Sequence, residues 1–247
     1  MRNKDEIKPD EISLMRKLNT SGALNRRDFM HGMMAASAVG TGLLGGSIPG
    51  SAFAQNIEPK RGGRLRVAFD SSSASDTLDP ARAVSGIDQT RVRVVYNGLL
   101  RLDENLSVGP ELATEYSVSD DGLTYTFRLR SGVVFHDGTP LSADDVVYSM
   151  MRHIGPDSTS SARALVANVQ RWEKVDNLTV RAVLESPNTE FPVILGATQF
   201  KIIRDGTSDF TMPLGTGPFR LQEFSPGVRT LALRNEDYWG DGGPYLD

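Results

Sequence analysis

The sequence contains no cysteine among its 247 residues. This absence excludes disulfide bonds, thiolate nucleophiles and cysteine-based zinc sites, and it also excludes a lipid anchor attached through an N-terminal cysteine. Histidine is nearly as scarce, with three residues in the chain. Because His31 falls in the N-terminal leader described below, His136 and His153 are the histidines left for a catalytic triad or a metal site, and neither kind of site is favoured.

The chain also lacks an excess of basic residues. Its 27 Lys and Arg residues are outnumbered by 31 Asp and Glu residues, which gives a formal net charge of −4 and a pI of about 5.5. Phosphate backbones and anionic lipids attract proteins through a positive field. The composition therefore predicts that nucleic acid is not a partner, while the hydrophobic content of 39% is ordinary for a globular core.

No hydrophobic run is long enough to suggest a membrane span. The longest apolar stretch, residues 33–48, is short and rich in glycine. It follows the adjacent pair Arg26 and Arg27, and a polar leader precedes both. This order of leader, arginine pair and apolar run is typical of a twin-arginine signal for export.

The apolar run ends in an A-x-A cleavage signal formed by Ala52 and Ala54. We therefore predict that residues 1–54 are a twin-arginine-type signal peptide and that the mature protein is periplasmic and begins at Gln55. The leader also contains a G-x-G-x-x-G match at residues 40–45. Since no strand precedes this match, it does not indicate a dinucleotide site.

Hydrophobic periodicity predicts a mixed α/β fold for the mature chain. Residues 64–69 alternate apolar and polar side chains and are predicted to form a strand, which runs into a polar, serine-rich loop over residues 70–80. A helix is predicted from Asp88, because apolar residues recur there at helical spacing. These apolar residues are Val92, Val95, Tyr96, Leu99 and Leu100. A second helix is predicted over residues 142–154, where a serine cap precedes acidic residues in the first turn.

Pairs of strands are predicted on either side of three turn signals. The strongest signal is Asp121-Gly122, because this dipeptide supplies the positive φ angles of a tight turn. The predicted pairs are 116–118 with 125–129, 170–175 with 178–184, and 219–224 with 230–233.

Few side chains are placed for catalysis. His136 lies in a loop beside Asp137, where a metal ligand is one interpretation and a simple turn is the other. His153 lies near the end of the second helix, where an imidazolium ion would interact favourably with the helix dipole and cap carbonyls. The acidic pairs 120–121 and 144–145 are sequence neighbours whose side chains diverge, so no catalytic site and no metal site is predicted.

Two segments have open interpretations. The serine-rich residues 70–77 are either a solvated connector or a loop at a strand end that faces a ligand crevice and pairs with an extended ligand. The aromatic pair Tyr238-Trp239 either lines a cleft or closes a core.

Read in order, the segments of the mature chain resemble the N-terminal half of family 5, the peptide-binding class of periplasmic solute-binding proteins. The matching stretches are GRLRVA (63–68), TLDP (77–80), VVYNGLL (94–100), PELA (110–113), GLTYTFRLR (122–130), GVVFHDGTPLSADDV (132–146), GTGPF (215–219) and NEDYW (235–239).

The resemblance implies a fold of the periplasmic binding protein-like II type, an α/β fold with two lobes that close by a hinge on an extended ligand. Residues 55–247 would be the N-terminal portion of such a protein, with the second lobe missing. The resemblance implies a monomeric carrier without a cofactor and not an enzyme. It would deliver a peptide or another small solute to the permease and ATPase subunits of an ABC importer.

The resemblance also implies four ligand-binding positions, which are Ser73, Ala74, Ser75 and Thr216. Of these, Ala74 and Ser75 would pair with a peptide through their backbone. Three alternatives stay open: a receptor for a nickel chelate, a sugar or an opine; a nonfunctional truncated remnant; and an exported enzyme. The last would need a nucleophile or a metal set that the sequence does not display.

Overall fold

The computed structural model describes residues 59–247. The predicted signal residues Arg26, Arg27, Ala52 and Ala54 lie outside the described residues. No helix in residues 59–247 combines the length and the apolar character that crossing a membrane requires.

The described chain is a mixture of short helices and antiparallel strands, as the sequence predicts. In chain order the elements are α1 (Gly86–Val95), β1 (Leu100–Leu102), β2 (Val108–Pro110), β3 (Ala113–Val118), β4 (Thr124–Leu129), α2 (Ala143–Met151), β5 (Val169–Asp176), β6 (Thr179–Leu184), α3 (Phe191–Leu195), β7 (Phe219–Ser225) and β8 (Arg229–Arg234). Single 3-10 turns occur at Pro80–Arg82, Arg163–Val166 and Thr198–Phe200.

The largest sheet has the strand order β3-β4-β6-β5, and each neighbouring pair is antiparallel. One face of this sheet is buried, because the side chains of β4 and β6 alternate between the core and the other face. Helix α2 packs against β5 and β6. Hairpins β1–β2 and β7–β8 form separate two-stranded sheets.

All three predicted strand pairs are confirmed. The turn between β3 and β4 contains Gly122 at a φ of 70°, a conformation that L side chains rarely adopt. The pairs β5–β6 and β7–β8 lie where the sequence predicts them. The second predicted helix is also confirmed as α2, although it ends at Met151 and not at residue 154.

The strand predicted at residues 64–69 is wrong. These residues are assigned to no strand, and Leu65 and Val67 are 67% and 58% exposed. Alternating side chains identify a chain that suits one face of a sheet, but a strand also needs a neighbour for its backbone groups. Residues 64–69 make no backbone hydrogen bond with any residue that the structure describes.

The first helix is shorter than its apolar spacing predicts. Helix α1 ends at Val95, and Tyr96 is extended at a φ of −125° and a ψ of 158°. Leu99 and Leu100 therefore lie beyond the helix, and both are buried in a different part of the protein. Their helical spacing from Val92 is coincidental, because the chain changes direction between them.

The buried side chains form two clusters. The larger cluster lies under the four-stranded sheet, and the smaller one consists of Ala83, Val92, Val95, Tyr96 and Ile203. The chain passes between the two clusters twice, over residues 96–99 and again over residues 200–203. These two crossing segments run antiparallel, and the Ile202 N–H donates to the Asn97 carbonyl at 2.8 Å.

Phe127 gives a direct test of the larger cluster. Its side chain is fully buried on β4, with the ring of Trp172 at a centroid distance of 5.7 Å. We expect Phe127→Ala to lower the free energy of unfolding by about 3–5 kcal/mol, because the cavity is lined by sheet residues that cannot collapse into it. Urea denaturation measures the change. Leu65→Ala, at a position where the side chain is 67% exposed, is the control, and an equally large loss there would contradict this placement of the core.

Candidate functional site

The serine-rich loop forms an exposed turn that a carboxylate holds in shape. Ser73, Ala74 and Ser75 are exposed, whereas Asp76 is buried. The Asp76 carboxylate accepts a hydrogen bond from the Ser73 N–H at 3.0 Å, and the Asp76 N–H donates to the Ser73 carbonyl at 3.1 Å. The loop is therefore a turn with a defined, hydrogen-bonded shape.

The turn leaves some backbone groups of exposed residues unpaired. The Ser75 N–H donates to the Ser73 hydroxyl at 3.2 Å, so that amide is already engaged. In contrast, the Ala74 N–H and the carbonyls of Ala74 and Ser75 make no hydrogen bond with the part of the chain that the structure describes. Unpaired backbone groups on exposed residues can pair with an extended ligand.

Thr216 lies in the interior, away from solvent. Its side chain is fully buried, and its hydroxyl donates to the Asn97 Oδ1 at 3.1 Å. The structure thus brings Ser73, Ala74 and Ser75 together in one turn but does not expose Thr216 beside them.

The glycines beside Thr216 are required by close packing against helix α1. The Gly217 N–H donates to the Val95 carbonyl at 2.9 Å. A Cβ atom on Gly215 would lie 2.0 Å from the Val95 carbonyl oxygen, and one on Gly217 would lie 2.5 Å from the same atom. Only glycine fits at either position, which explains the Gly-Thr-Gly pattern in physical terms.

A buried polar network surrounds Asn97, and sequence reasoning missed it. The Asn97 Oδ1 accepts from Trp239 Nε1 at 3.1 Å, and the Asn97 amide donates to the Glu111 carboxylate at 2.8 Å. Glu111 also accepts from the Gly98 N–H at 2.7 Å and from Lys201 Nζ at 2.8 Å. These residues are far apart in the sequence, so no local spacing signals their contact.

His136 forms hydrogen bonds with the Gly-Thr-Gly segment, which also contacts the end of helix α1. Its Nδ1 accepts from the Gly215 N–H at 3.3 Å, which leaves Nε2 to donate to the Gly217 carbonyl at 3.0 Å. Burial lowers the pKa of His136, in keeping with a neutral ring. Both ring nitrogens are engaged in this way, and no group of three or more potential metal ligands occurs within residues 59–247. The bonding favours the structural interpretation of His136.

The acidic side chains at residues 144 and 145 point to different surroundings, as predicted for this pair. Asp144 is exposed and pairs with Lys174 at 2.6 Å. Its neighbour Asp145 is buried and accepts from the backbone N–H groups of Ser142 and Asp205, each at 2.8 Å. The two carboxylates cannot act on one substrate bond.

Trp239 combines the two interpretations offered by the sequence. It packs against the larger core cluster, and it also lines a groove of about 590 Å³ together with Thr114, Arg128 and Arg130. The Arg130 guanidinium lies over the indole ring at 4.7 Å from its centroid. The groove wall is therefore held by stacking and is positively charged on one side.

The chain is similar to known carrier proteins. A family model described as bacterial extracellular solute-binding proteins, family 5 Middle, matches residues 107–247. The glutathione-binding protein GsiB of Salmonella paratyphi A is 35% identical over 177 residues, which cover 69% of this chain and 35% of GsiB. The chain thus spans about a third of the length of this relative.

Two solved structures extend the likeness. The oligopeptide-binding protein AppA of Bacillus subtilis, in complex with a nonapeptide, has a TM-score of 0.67 and 26% identity over 77% of this chain and 40% of AppA. NikZ of Campylobacter jejuni, in complex with Ni(L-His), has a TM-score of 0.59 and 26% identity over 73% of this chain and 36% of NikZ. The predicted fold class, that of periplasmic binding proteins, is confirmed by these similarities.

His153 has a structural position, but the predicted imidazolium is wrong. The ring is 2% exposed, its Nδ1 lies 2.6 Å from the Ser160 hydroxyl oxygen, and it packs on Phe200 at a centroid distance of 4.7 Å. Burial, with a smaller contribution from Arg152, lowers the pKa of His153 from 6.5 to about 4. The ring is therefore neutral in the folded protein at neutral pH.

This pKa shift predicts acid sensitivity. The unfolded chain binds a proton at position 153 below pH 6.5, whereas the folded protein does so only below about 4. The stability contributed by the neutral ring is therefore complete above pH 6.5 and is lost as the pH falls towards 4, by up to about 3 kcal/mol. Urea denaturation between pH 7 and pH 4 measures the loss. His153→Gln should reduce the pH slope, and an unchanged slope in that variant would contradict the assignment.

Proposed function

We propose, because this chain belongs to family 5 of the bacterial extracellular solute-binding proteins, that it captures a peptide or a similar solute for an ABC importer. It acts as a carrier that presents its solute to permease and ATPase subunits in the membrane. Residues 55–247 supply the N-terminal portion of the binding domain, as a monomer without a cofactor.

The single observation that carries this proposal is the exposed turn at residues 73–75. Its free backbone groups suit an extended solute with backbone groups of its own, and such a solute is a peptide. Ligands held through the backbone are selected by length and shape more than by side-chain identity. The peptide and glutathione named for AppA and GsiB are solutes of this kind.

A binding function also accounts for the chemistry of the described residues better than catalysis does. The histidines at 136 and 153 both serve packing, with pKa values lowered by burial. The acidic pair at 144–145 is divided between a surface ion pair and a helix cap. None of these groups is free to act as a general base on a bound solute.

We expect the protein to bind short peptides and glutathione more tightly than free amino acids. Isothermal titration calorimetry measures the affinity, with the nickel–histidine complex and an opine as competing candidates. Failure to bind any peptide, together with binding of the nickel complex, would overturn the proposed solute class.

The turn can be probed by removing one N–H group. Ala74→Pro deletes the free amide, and we expect peptide affinity to fall about 3- to 10-fold, the value of one hydrogen bond. Val84→Pro is the matched control, because Val84 is 67% exposed and its N–H makes no hydrogen bond with a described residue. Equal losses in the two variants would remove the turn from the solute site.

The predicted signal peptide can be tested by following export of the protein. We expect the native precursor to yield a periplasmic protein with Gln55 at its N-terminus, and we expect Arg26→Lys combined with Arg27→Lys to hold the precursor in the cytoplasm. Cell fractionation and N-terminal sequencing measure both. Unchanged export of the double variant would contradict the route, while a different first residue would contradict the cleavage site.

A further inference from the structure

The carboxylate of Asp76 joins the exposed turn to distant parts of the chain. Its side chain is 2% exposed. Within the turn it accepts from the Ser73 N–H at 3.0 Å and from the Ser72 hydroxyl at 3.1 Å. It also accepts from Arg91 Nη1 at 2.8 Å and from the Gly227 N–H at 3.3 Å. One buried carboxylate therefore connects the turn, helix α1 and hairpin β7–β8.

Arg91 is itself fixed by that hairpin. The residue is 7% exposed, and its Nε donates to the Thr230 hydroxyl at 2.8 Å. Its guanidinium lies 5.4 Å from the centroid of the Phe224 ring, and Nη1 also lies 3.2 Å from Asp88. A planar guanidinium held on three sides has one orientation in which to meet Asp76.

The tip of the hairpin lies directly against the turn. Gly227 has a φ of 73°, and a Cβ atom on it would lie 3.0 Å from the Ser73 carbonyl carbon and 3.2 Å from the Ala74 nitrogen. The peptide group between Ser73 and Ala74 therefore rests on the backbone of the hairpin tip. This peptide group carries the free N–H to which the proposed function assigns solute pairing.

We propose that Asp76, Arg91 and Gly227 are positioning residues that fix the shape of the turn at residues 72–75 before a solute arrives. The proposal deepens the proposed function and rests on it for the identity of the turn as a solute site. A turn fixed in advance loses less conformational entropy on binding, so its backbone groups bind more tightly. None of the three residues needs to touch the solute.

Amide hydrogen exchange tests the positioning without any solute. The Ser73 N–H reports on the turn, and the Phe127 N–H, in the middle of the sheet, reports on the whole fold. In the full chain we expect Asp76→Asn to lower protection of the Ser73 amide by about tenfold or more. The acceptor of the Ser73 N–H then carries no charge, and the charge-assisted hydrogen bond with Arg91 is lost. Thr230→Val, which removes only the support of Arg91, should lower it by a smaller factor.

Glu223→Gln is the charge control. Glu223 lies on the same hairpin and pairs with Arg229 at the surface, without contact to Asp76. We expect it to leave Ser73 protection unchanged. The proposal is overturned if Asp76→Asn and Thr230→Val lower the protection of the Phe127 N–H more than that of the Ser73 N–H. In that case the network stabilises the whole fold and does not fix the turn.

A pair of glycine substitutions separates the steric contact from backbone strain. Gly227→Ala adds a methyl group against Ser73 at a φ of 73°, whereas Gly206→Ala imposes the same kind of strain at a φ of 77° with no atom within 4 Å. We expect Gly227→Ala to lower Ser73 protection and Gly206→Ala to leave it unchanged. Equal effects would remove Gly227 from the positioning set.

Calorimetry with glutathione and a tetrapeptide completes the test. The proposal expects affinity to fall in the variants that lose Ser73 protection and to hold in Glu223→Gln and Gly206→Ala. Lost protection with unchanged affinity would overturn the link between the turn and the solute. If the unaltered protein binds neither probe, the proposed function fails, and the exchange data alone then decide whether these residues fix the turn.

Discussion

The ion pair between Glu111 and Lys201 lies where the chain crosses between its two buried clusters. The two charged groups are 2.8 Å apart, and their side chains are 11% and 8% exposed. Burying such a pair costs several kcal/mol in lost hydration per ion, and only good geometry with further hydrogen bonds offsets that cost. Glu111 meets this condition, because it also accepts from Gly98 and Asn97. The pair therefore fixes how the two crossing segments lie side by side.

The same network reaches the C-terminal part of the described chain. Asn97 accepts from Thr216 and from Trp239, so the segment that leads into hairpin β7–β8 and the segment that follows it are both held at the crossing. The hairpin tip in turn lies on the turn at residues 72–75. Each member of a buried polar network that is left unsatisfied is costly. The network at the crossing therefore helps to place the hairpin, and the hairpin tip in turn contacts the exposed turn.

Sequence reasoning succeeds where structure is decided locally. The Asp121-Gly122 turn and the strands beside it are specified by neighbours along the chain, and so is the capped start of α2. It fails where a partner decides the outcome. Residues 64–69 have the alternation of a strand, but alternation does not reveal whether a neighbouring strand is present. Helix α1 ends at Val95, where the chain becomes extended and crosses between the two buried clusters. This tertiary arrangement outweighs the helical spacing of the later apolar residues.

The candidate site shows the same division. The loop at residues 73–75 could be singled out from the sequence because its polar composition is visible in a short segment. The groups that hold it through Asp76 are Arg91 and Gly227, which are 15 and 151 residues from Asp76. Contacts of that separation leave no periodic trace in one sequence. Thr216 is the instructive case, because the glycines on either side of it were visible as a motif. Those glycines permit close packing against α1, and Thr216 follows them into the interior. A motif near a binding site therefore indicates backbone geometry first, and solute contact has to be argued from exposure.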